Sequence, residues 1–276
     1  MSDRYAVFGN PVAHSKSPVI HAAFAQQTGQ DMVYDRQLVD IDKFSEVAQD
    51  FFAAGGCGLN ITVPFKLDAY TFAHQLSERA QQAGAVNTLK KMPDGKIFGD
   101  NTDGVGMLRD IKKNLGWDIA GKRVLVLGAG GAVRGVIGPL LAERPQRLLL
   151  ANRTLSKAEA LVQLFNTGKS LADAKILRAS SLQIHARPFD IVINGTSASL
   201  GGELPDLSPA ILADEACCYD MMYGKTLTPF LQWSQQHGAR VADGLGMLVE
   251  QAAESFYLWR GVRPDTAPVM AMLRES

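Results

Sequence analysis

Short apolar runs alternate with segments of helical periodicity along almost the whole chain. Apolar runs of about five residues are typical of buried strands, and apolar residues that recur every three to four positions are typical of helices. Strands are expected at 5–8, 33–39, 59–63, 88–92, 96–99, 123–127, 147–151, 190–194 and 217–221. Helices are expected at 18–27, 44–54, 105–116, 133–142 and 245–259, with another starting near 64. This alternation predicts the α/β class, with mostly parallel strands covered by helices.

The pattern also predicts two α/β domains. The chain has 276 residues, enough for two domains of about 100–150 residues each. Hinges at both ends of the second α/β unit indicate that the C-terminal helices return to the first domain. We therefore expect one domain formed by residues 1–103 plus 245–276 and a second formed by 104–244.

The balance of acidic and basic residues indicates which kinds of molecule the protein binds. The chain carries 28 Lys and Arg residues against 28 Asp and Glu residues, so its formal net charge is zero. Nucleic-acid binders and proteins that bind anionic membranes need an excess of basic residues. We therefore expect neither kind of partner, and favour a small-molecule ligand.

Several other site classes are not favoured by the composition. The longest uncharged stretch, 51–65, is broken by polar residues and falls short of the ~20 apolar residues of a membrane span. The residues 1–8 lack the pattern of a signal peptide, so a cytoplasmic protein is expected. Cys57, Cys217 and Cys218 suit neither a disulfide framework nor zinc spacing, and the five histidines are scattered, so no metal site is expected.

A glycine-rich turn is the strongest local motif. Residues 128–132 read Gly-Ala-Gly-Gly-Ala between a predicted strand and a predicted helix. Glycines at such a turn let a pyrophosphate approach the backbone N–H groups at the helix N-terminus. Val133 stands where a third glycine is usual, so a purely structural tight turn is the alternative. The context favours a Rossmann-like dinucleotide-binding domain.

The next strand indicates which dinucleotide is bound. An acidic residue about 20 residues after the glycine turn would bind the ribose 2′-hydroxyl of NAD. Asn152, Arg153 and Thr154 follow the strand instead, with Lys157 one turn later. Because arginine pairs with phosphate bidentately, the cofactor is expected to be NADP. Solvated charges at a helix start are the alternative, more so for Lys157 than for Arg153.

The first domain contains polar side chains at positions where ligands bind. Ser15 and Ser17 precede Pro18, a pattern that predicts a helix N-cap at Ser17 but also a carboxylate pocket. In the strand at 59–63, Leu59, Ile61 and Val63 would share one face, and Asn60 and Thr62 the other. Lys66, Asn87 and Asp103 add an ammonium, an amide and a carboxylate, although Asp103 alone also suits a helix N-cap.

Together these segments resemble the shikimate dehydrogenase family over nearly the whole chain. The resemblance is carried by residues 8–11, 15–18, 60–66, 84–88, 99–104, 128–132, 152–154 and 243–248. It implies that the first domain binds and converts the substrate and that the second binds NADP. The implied reaction is the reversible NADPH-dependent reduction of 3-dehydroshikimate to shikimate in aromatic amino acid (chorismate) biosynthesis.

Residue by residue, the resemblance implies a catalytic pair, Lys66 and Asp103, and a substrate carboxylate at Ser15 and Ser17. The remaining substrate contacts implied are Asn60, Thr62, Asn87, Tyr223 and Gln251. The cofactor contacts implied are Glu78, Gly128, Ala129, Gly130, Gly131, Ala132, Asn152, Arg153, Thr154, Lys157, Met221 and Gly244. Gly195 stands where alanine is frequent in the family.

Two alternatives remain open at this point. A quinate/shikimate dehydrogenase of broader specificity would tolerate NAD, against which Arg153 argues. A non-catalytic NADP-sensing module would retain the glycine turn but would have no use for Lys66 and Asp103. The expected partner is the small-molecule substrate alone, with the chain a monomer or homodimer.

Overall fold

The computed structural model describes residues 2–167, 175–196, 204 and 206–275. The chain folds into two compact units, Met1–Gly106 with Leu248–Ser276, and Met107–Met247. The breaks expected from the sequence were 103/104 and 244/245. In the part of the chain that the structure describes, each unit contains one six-stranded sheet.

The sheet of the first unit is mixed. Its strands are β1 (Asp3–Gly9), β2 (Met32–Leu38), β3 (Gly56–Ile61), β4 (Gln75–Leu76), β5 (Thr88–Lys91) and β6 (Ile97–Asp100), in the order β2-β1-β3-β5-β6-β4. Strand β1 runs parallel to β2 and β3, whereas β5 is antiparallel to β3 and β6. The helices are α1 (Ser17–Thr28), α2 (Phe44–Ala53), α3 (Lys66–Phe72), α4 (Glu78–Ala83) and α5 (Asp103–Arg109).

The sheet of the second unit is entirely parallel. Its strands are β7 (Arg123–Leu127), β8 (Arg147–Ala151), β9 (Leu177–Ser180), β10 (Phe189–Asn194), β11 (Leu212–Asp220) and β12 (Arg240–Asp243). Helices α6 (Gly131–Ala142), α7 (Leu155–Asn166) and α8 (Pro229–Gln236) connect them, and α9 (Leu245–Arg260) and α10 (Ala267–Glu275) follow. The strand order β9-β8-β7-β10-β11-β12 is that of a Rossmann fold. The α/β class and the Rossmann-like second domain predicted from the sequence are confirmed.

The strand predicted at 59–63 ends two residues earlier than expected. Strand β3 stops at Ile61, because Pro64 has no N–H to donate and the Phe65 amide turns back to the Thr62 carbonyl at 3.1 Å. Val63 is consequently 65% exposed. The prediction that Val63 lies in this strand, on the same face as Leu59 and Ile61, is therefore wrong.

Other differences concern helices and short elements. The helix predicted at 105–116 begins at Asp103, and from Asp110 to Asn114 it is a π-helical turn. The sequence pattern did not predict β4, β9, β12, α4 or α8, which have two to eight residues each, and it gave no bounds for the longer α7 and α10. The short segments hold too few apolar positions to establish a period. No described helix has both the length and the apolar composition that a bilayer span requires.

Candidate functional site

Lys66 and Asp103 form a tight ion pair in the first unit. Lys66 is the first residue of α3 and Asp103 the first residue of α5, and Lys66 Nζ lies 2.5 Å from Asp103 Oδ2. Their side chains are 15% and 9% exposed. Within the described chain, Nζ has no other acceptor, so two of its three N–H groups are available to a ligand.

Asn87 fixes the other side of the Asp103 carboxylate. Its Nδ2 donates to Asp103 Oδ1 at 2.8 Å, and its Oδ1 accepts the Thr102 backbone N–H at 2.8 Å. The same Nδ2 lies 3.3 Å from Oε1 of Gln251, on α9. Both Asp103 oxygens are thus held by hydrogen bonds from side chains. Because Asp103 is the first helical residue, the alternative that it is the helix N-cap is wrong. The structure brings together four of the predicted site residues: Lys66, Asn87, Asp103 and Gln251.

The side-chain amide of Asn60, next to this group, is fully hydrogen-bonded to other protein groups. Its Nδ2 donates to Ser255 Oγ at 3.0 Å and to Thr88 Oγ1 at 3.2 Å. Its Oδ1 accepts the Tyr34 hydroxyl at 2.7 Å and faces His21 Nε2 at 3.2 Å. All four hydrogen-bonding positions of this buried amide are therefore filled by protein groups.

Sequence reasoning missed the residues that support Asn60. Tyr34, His21 and Ser255 lie on β2, α1 and α9, and none belongs to the motifs that carried the resemblance. Ser255 follows Gln251 by four residues on one helix, a spacing that places both on the same face. That spacing was the one signal in the sequence that could have revealed Ser255.

His21 is fully buried and neutral. Burial lowers its pKa from 6.5 to about 3, and the hydrogen bond to Asn60 offsets only part of that shift. The Nε2–H donates to Asn60, so Nδ1 is unprotonated, and it has no partner among the described residues. The ring stacks on Tyr34 with centroids 4.2 Å apart.

The depressed His21 pKa predicts a pH-dependent stability. The unfolded chain binds a proton below pH ~6.5, whereas the folded chain does not until about pH 3, so stability falls as the pH drops through this window. From pH 7 to pH 5 the loss from this one group is about 2 kcal/mol. Urea unfolding at both pH values should show that difference between the unmodified chain and His21→Gln, which does not titrate. An equal pH dependence in the two proteins would contradict the assignment.

The two predicted carboxylate-binding serines lie at the start of α1. Ser17 is the first helical residue, and Lys16 occupies the cap position without a side-chain cap bond, so the prediction of Ser17 as the N-cap is wrong. The Ser17 N–H donates to Ser15 Oγ at 3.3 Å, so the two serines are in direct contact.

Two further predicted contacts, Thr62 and Glu78, form no hydrogen bond with Lys66 or Asp103 among the described residues, and a third, Tyr223, belongs to the second unit. Thr62 is half-buried just beyond β3, and its side chain has no hydrogen-bond partner in the described chain. Glu78 is exposed on α4, where Gln82 Nε2 donates to it at 3.1 Å. Tyr223, in the second unit, is half-buried, and burial raises the pKa of its hydroxyl.

The glycine turn of the second unit has the shape of a phosphate cradle. Gly128 directly follows β7 and has φ +106°, a conformation that L side chains rarely adopt. Gly130 is the N-cap of α6, and a Cβ atom built on Gly130 or Gly131 meets nothing within 4 Å. The space in front of the α6 N-terminus is therefore open to a pyrophosphate, and the residues present fit a dinucleotide.

The adenosine side of this site carries unpaired positive charge. Arg153 and Lys157 are exposed at the start of α7, and neither has an ion-pair partner among the described residues. Asn152 Nδ2 donates to the Thr154 carbonyl at 2.8 Å, which shapes the turn between them. The geometry leaves the guanidinium free to meet a 2′-phosphate.

Met221 and Gly244 lie against each other after β11 and β12. A Cβ atom on Gly244 would stand 2.3 Å from the Met221 carbonyl oxygen, so the close approach requires glycine. The Gly244 N–H donates to Met222 O at 3.0 Å. The two residues expected at the nicotinamide are thus adjacent in the second unit.

Val133 and Gly195 explain the departure from the glycine fingerprint. A Cβ on Gly195 would lie 2.4 Å from Val133 Cγ2. Val133, which replaces the third glycine, is fully buried and occupies the space that a Gly195 side chain would need. The close approach between α6 and the end of β10 is therefore provided by Gly195.

This packing predicts a coupled pair of substitutions. Gly195→Ala should destabilise the protein by about 1–3 kcal/mol through overpacking. Combining it with Val133→Ala removes the clash, so the double variant should lose less free energy of unfolding than the sum of the two single variants. Urea denaturation of the three variants measures this, and strictly additive losses would show that the two side chains do not compete for space.

Three family models match the chain. The shikimate dehydrogenase substrate binding domain matches residues 7–89, shikimate / quinate 5-dehydrogenase matches 110–201, and the shikimate 5′-dehydrogenase C-terminal domain matches 244–274. A shikimate dehydrogenase (NADP(+)) of Cellvibrio japonicus is 61% identical over 278 residues, covering 100% of this chain and 98% of the relative.

Solved structures agree over the full length. An Ael1 enzyme from Pseudomonas putida has a TM-score of 0.91 at 48% identity, covering 99% of this chain and 98% of that one. A shikimate 5-dehydrogenase from Thermus thermophilus, solved with NADP(H) and shikimate, has a TM-score of 0.88 at 32% identity and 99% coverage of both chains.

Proposed function

This chain belongs to the shikimate dehydrogenase family, and we propose that Lys66 and Asp103 carry out the proton transfer of its reaction. The chain is an NADP-dependent oxidoreductase that reduces 3-dehydroshikimate to shikimate, a reversible step of aromatic amino acid biosynthesis. The observation that carries the residue assignment is the 2.5 Å contact between Lys66 Nζ and Asp103 Oδ2, with Asn87 on the other carboxylate oxygen.

The cofactor side is assigned to the second unit. Its contacts would be the turn 128–132, then Asn152, Arg153, Thr154 and Lys157, with Met221 and Gly244 at the nicotinamide. The chemistry that NADPH supplies when bound is hydride transfer to the ring ketone. Exposed Arg153 supports the choice of NADP over NAD, because it faces no carboxylate in the described chain.

The protein must supply one proton to the carbonyl oxygen. The Lys66 ammonium has two N–H groups not used by Asp103, so it can donate a hydrogen bond to that oxygen and stabilise the charge that develops there. Asp103 keeps the ammonium in place and is itself fixed by Asn87.

Substrate contacts are assigned around this pair. Asn87 and Gln251 would bind ring hydroxyls, with Thr62 and Tyr223 as further contacts, and Ser15 and Ser17 would hold the carboxylate. Asn60 is proposed to bind a ring hydroxyl as well. Protein groups fill the hydrogen-bonding positions of both Asn60 and Asn87, so a ring hydroxyl would replace one of these partners at each amide. Glu78 remains a proposed cofactor contact.

Ser17→Ala tests the carboxylate pocket. A carboxylate contact is made equally in the ground state and the transition state, so its loss should raise the shikimate KM about 10-fold while kcat stays within about 2-fold. Steady-state kinetics would reveal this pattern. A fall in kcat with unchanged KM would instead assign Ser17 to the chemical step.

Absorbance at 340 nm tests the function as a whole. Purified protein is assayed with shikimate or quinate, each with NADP or NAD. The proposal expects kcat/KM to be highest for shikimate with NADP. Equal efficiency with quinate would assign the broader quinate/shikimate activity, and no reduction of either cofactor would refute the enzyme assignment.

The redox state of the cysteines relates to the cellular compartment of the enzyme. Cys57, Cys217 and Cys218 are free thiols, which supports the reducing cytoplasm as its location. The expectation of a monomer or homodimer stays a prediction.

A further inference from the structure

A cluster of basic side chains lies at the amino ends of the strands in the second unit, and the reaction does not use it. An open cleft of about 500 Å³ at this edge is lined by Arg123, Arg147, Lys175, Arg178, Arg187 and Phe189. Arg123 begins β7, whereas the glycine turn follows the carboxyl end of the same strand. The cleft therefore lies at the amino ends of the parallel strands, and the dinucleotide site lies at their carboxyl ends.

The strand register places three of the arginines on one face. Arg123 is the direct partner of Arg147 on β8, and Arg178 on β9 is the partner of Leu149. Because side chains alternate along a strand, Arg147 and Leu149 point to the same face, and their partners Arg123 and Arg178 point there too. Neighbouring strands are about 4.8 Å apart, so like charges at these positions repel each other.

The protein offsets only one of these charges. Asp190 pairs with Arg123, with Oδ1 2.6 Å from Nη2 and Oδ2 3.0 Å from Nε. Across the described residues, no carboxylate pairs with Arg147, Lys175, Arg178 or Arg187. Four uncompensated cations thus surround one cleft in a chain whose formal net charge is zero.

We propose that this surface, the basic cleft, binds a small phosphorylated metabolite with two or more negative charges. Arginine side chains fit phosphate oxygens bidentately, and adjacent arginines match an anion with more than one charge. The volume lies within the ~300–1,000 Å³ range of small-molecule sites. Such an anion would relieve the repulsion between Arg147 and its neighbours. The proposal stands independently of the proposed function.

Calorimetric titration with inorganic pyrophosphate tests the basic cleft. NADP is present at saturation, so that the Arg153 region is already occupied, and divalent cations are left out. The unmodified protein should bind one pyrophosphate saturably. Arg147→Gln/Arg178→Gln should weaken that affinity at least 10-fold, while the KM for NADP and the kcat with shikimate stay unchanged.

A matched control removes the same charge elsewhere. Lys96 and Lys113 are exposed and lie outside the cleft, so Lys96→Gln/Lys113→Gln should leave pyrophosphate affinity within about 2-fold. If Arg147→Gln/Arg178→Gln fails to fold, the single variants Arg178→Gln and Arg187→Gln, at exposed positions, replace it, and each should weaken binding at least 3-fold.

Three results would overturn the proposal. They are the absence of saturable binding by the folded, unmodified protein, equal weakening in the cleft and control variants, and binding of a single-stranded oligonucleotide without binding of pyrophosphate. The last would assign the surface to nucleic acid instead.

Discussion

Lys66→Ala should lower kcat by about 10²- to 10⁴-fold, the usual contribution of a general acid or base, while the shikimate KM changes much less. The reason is the position of Nζ, held 2.5 Å from Asp103 with two N–H groups left for the substrate. The loss concerns an interaction that strengthens as charge develops on the carbonyl oxygen, so it should appear in kcat. Steady-state assays at saturating NADP and shikimate give both constants.

Two controls accompany this substitution. Lys96→Ala removes an exposed lysine from the same unit and should leave both constants unchanged. Asp103→Asn should also lower kcat, and the double variant with Lys66→Ala should lose little more than either single variant, because the two groups act as a unit. A Lys66→Ala enzyme with near-normal kcat and a raised KM would show that Lys66 only attracts the substrate carboxylate.

Arg153→Asp should weaken NADP binding by roughly 2–5 kcal/mol, the scale for removing one partner of a charge pair that binding buries. This corresponds to a loss of affinity of about 30- to 5,000-fold. Arg153 is exposed and has no ion-pair partner in the described chain, so the variant should fold as the unmodified protein does. Fluorescence titration with NADP and with NAD measures the change.

The comparison with NAD separates a specific role from a general one. NAD lacks the 2′-phosphate, so its affinity for Arg153→Asp should fall little or not at all. Lys157→Gln should show a smaller effect on NADP than Arg153→Asp. Equal kcat/KM for NADP and NAD in the unmodified enzyme would contradict the role of Arg153 in choosing the cofactor.

The glycine turn of the second unit and the elements on either side of it were predictable because their signals are local. The strand 123–127, the glycine turn and the following helix are consecutive in the chain, and the structure has β7 at Arg123–Leu127 and α6 from Gly131. The sequence could not show that Gly195, which lies far from Val133 along the chain, leaves room for the Val133 side chain. That room is what allows a valine where the third glycine is usual.

The site of the first unit was less predictable because it is assembled from distant segments. Lys66 and Asp103 are 37 positions apart, and their spacing alone favoured a helix N-cap for Asp103. Their pairing was expected only from the family resemblance. The support of Asn60 by Tyr34, His21 and Ser255 depends on three elements packed together, and no local pattern encodes such packing.

The most direct test of the proposed chemistry follows a deuterium label from NADPH into the product. 3-Dehydroshikimate is reduced with NADPH deuterated at both nicotinamide C4 positions, and the product is examined by mass spectrometry and NMR. We expect shikimate that carries one deuterium at the carbon that held the ketone, formed by the unmodified enzyme and at least 100-fold more slowly by Lys66→Ala. Unlabelled shikimate, or no shikimate from folded protein, would contradict hydride transfer from NADPH at this site.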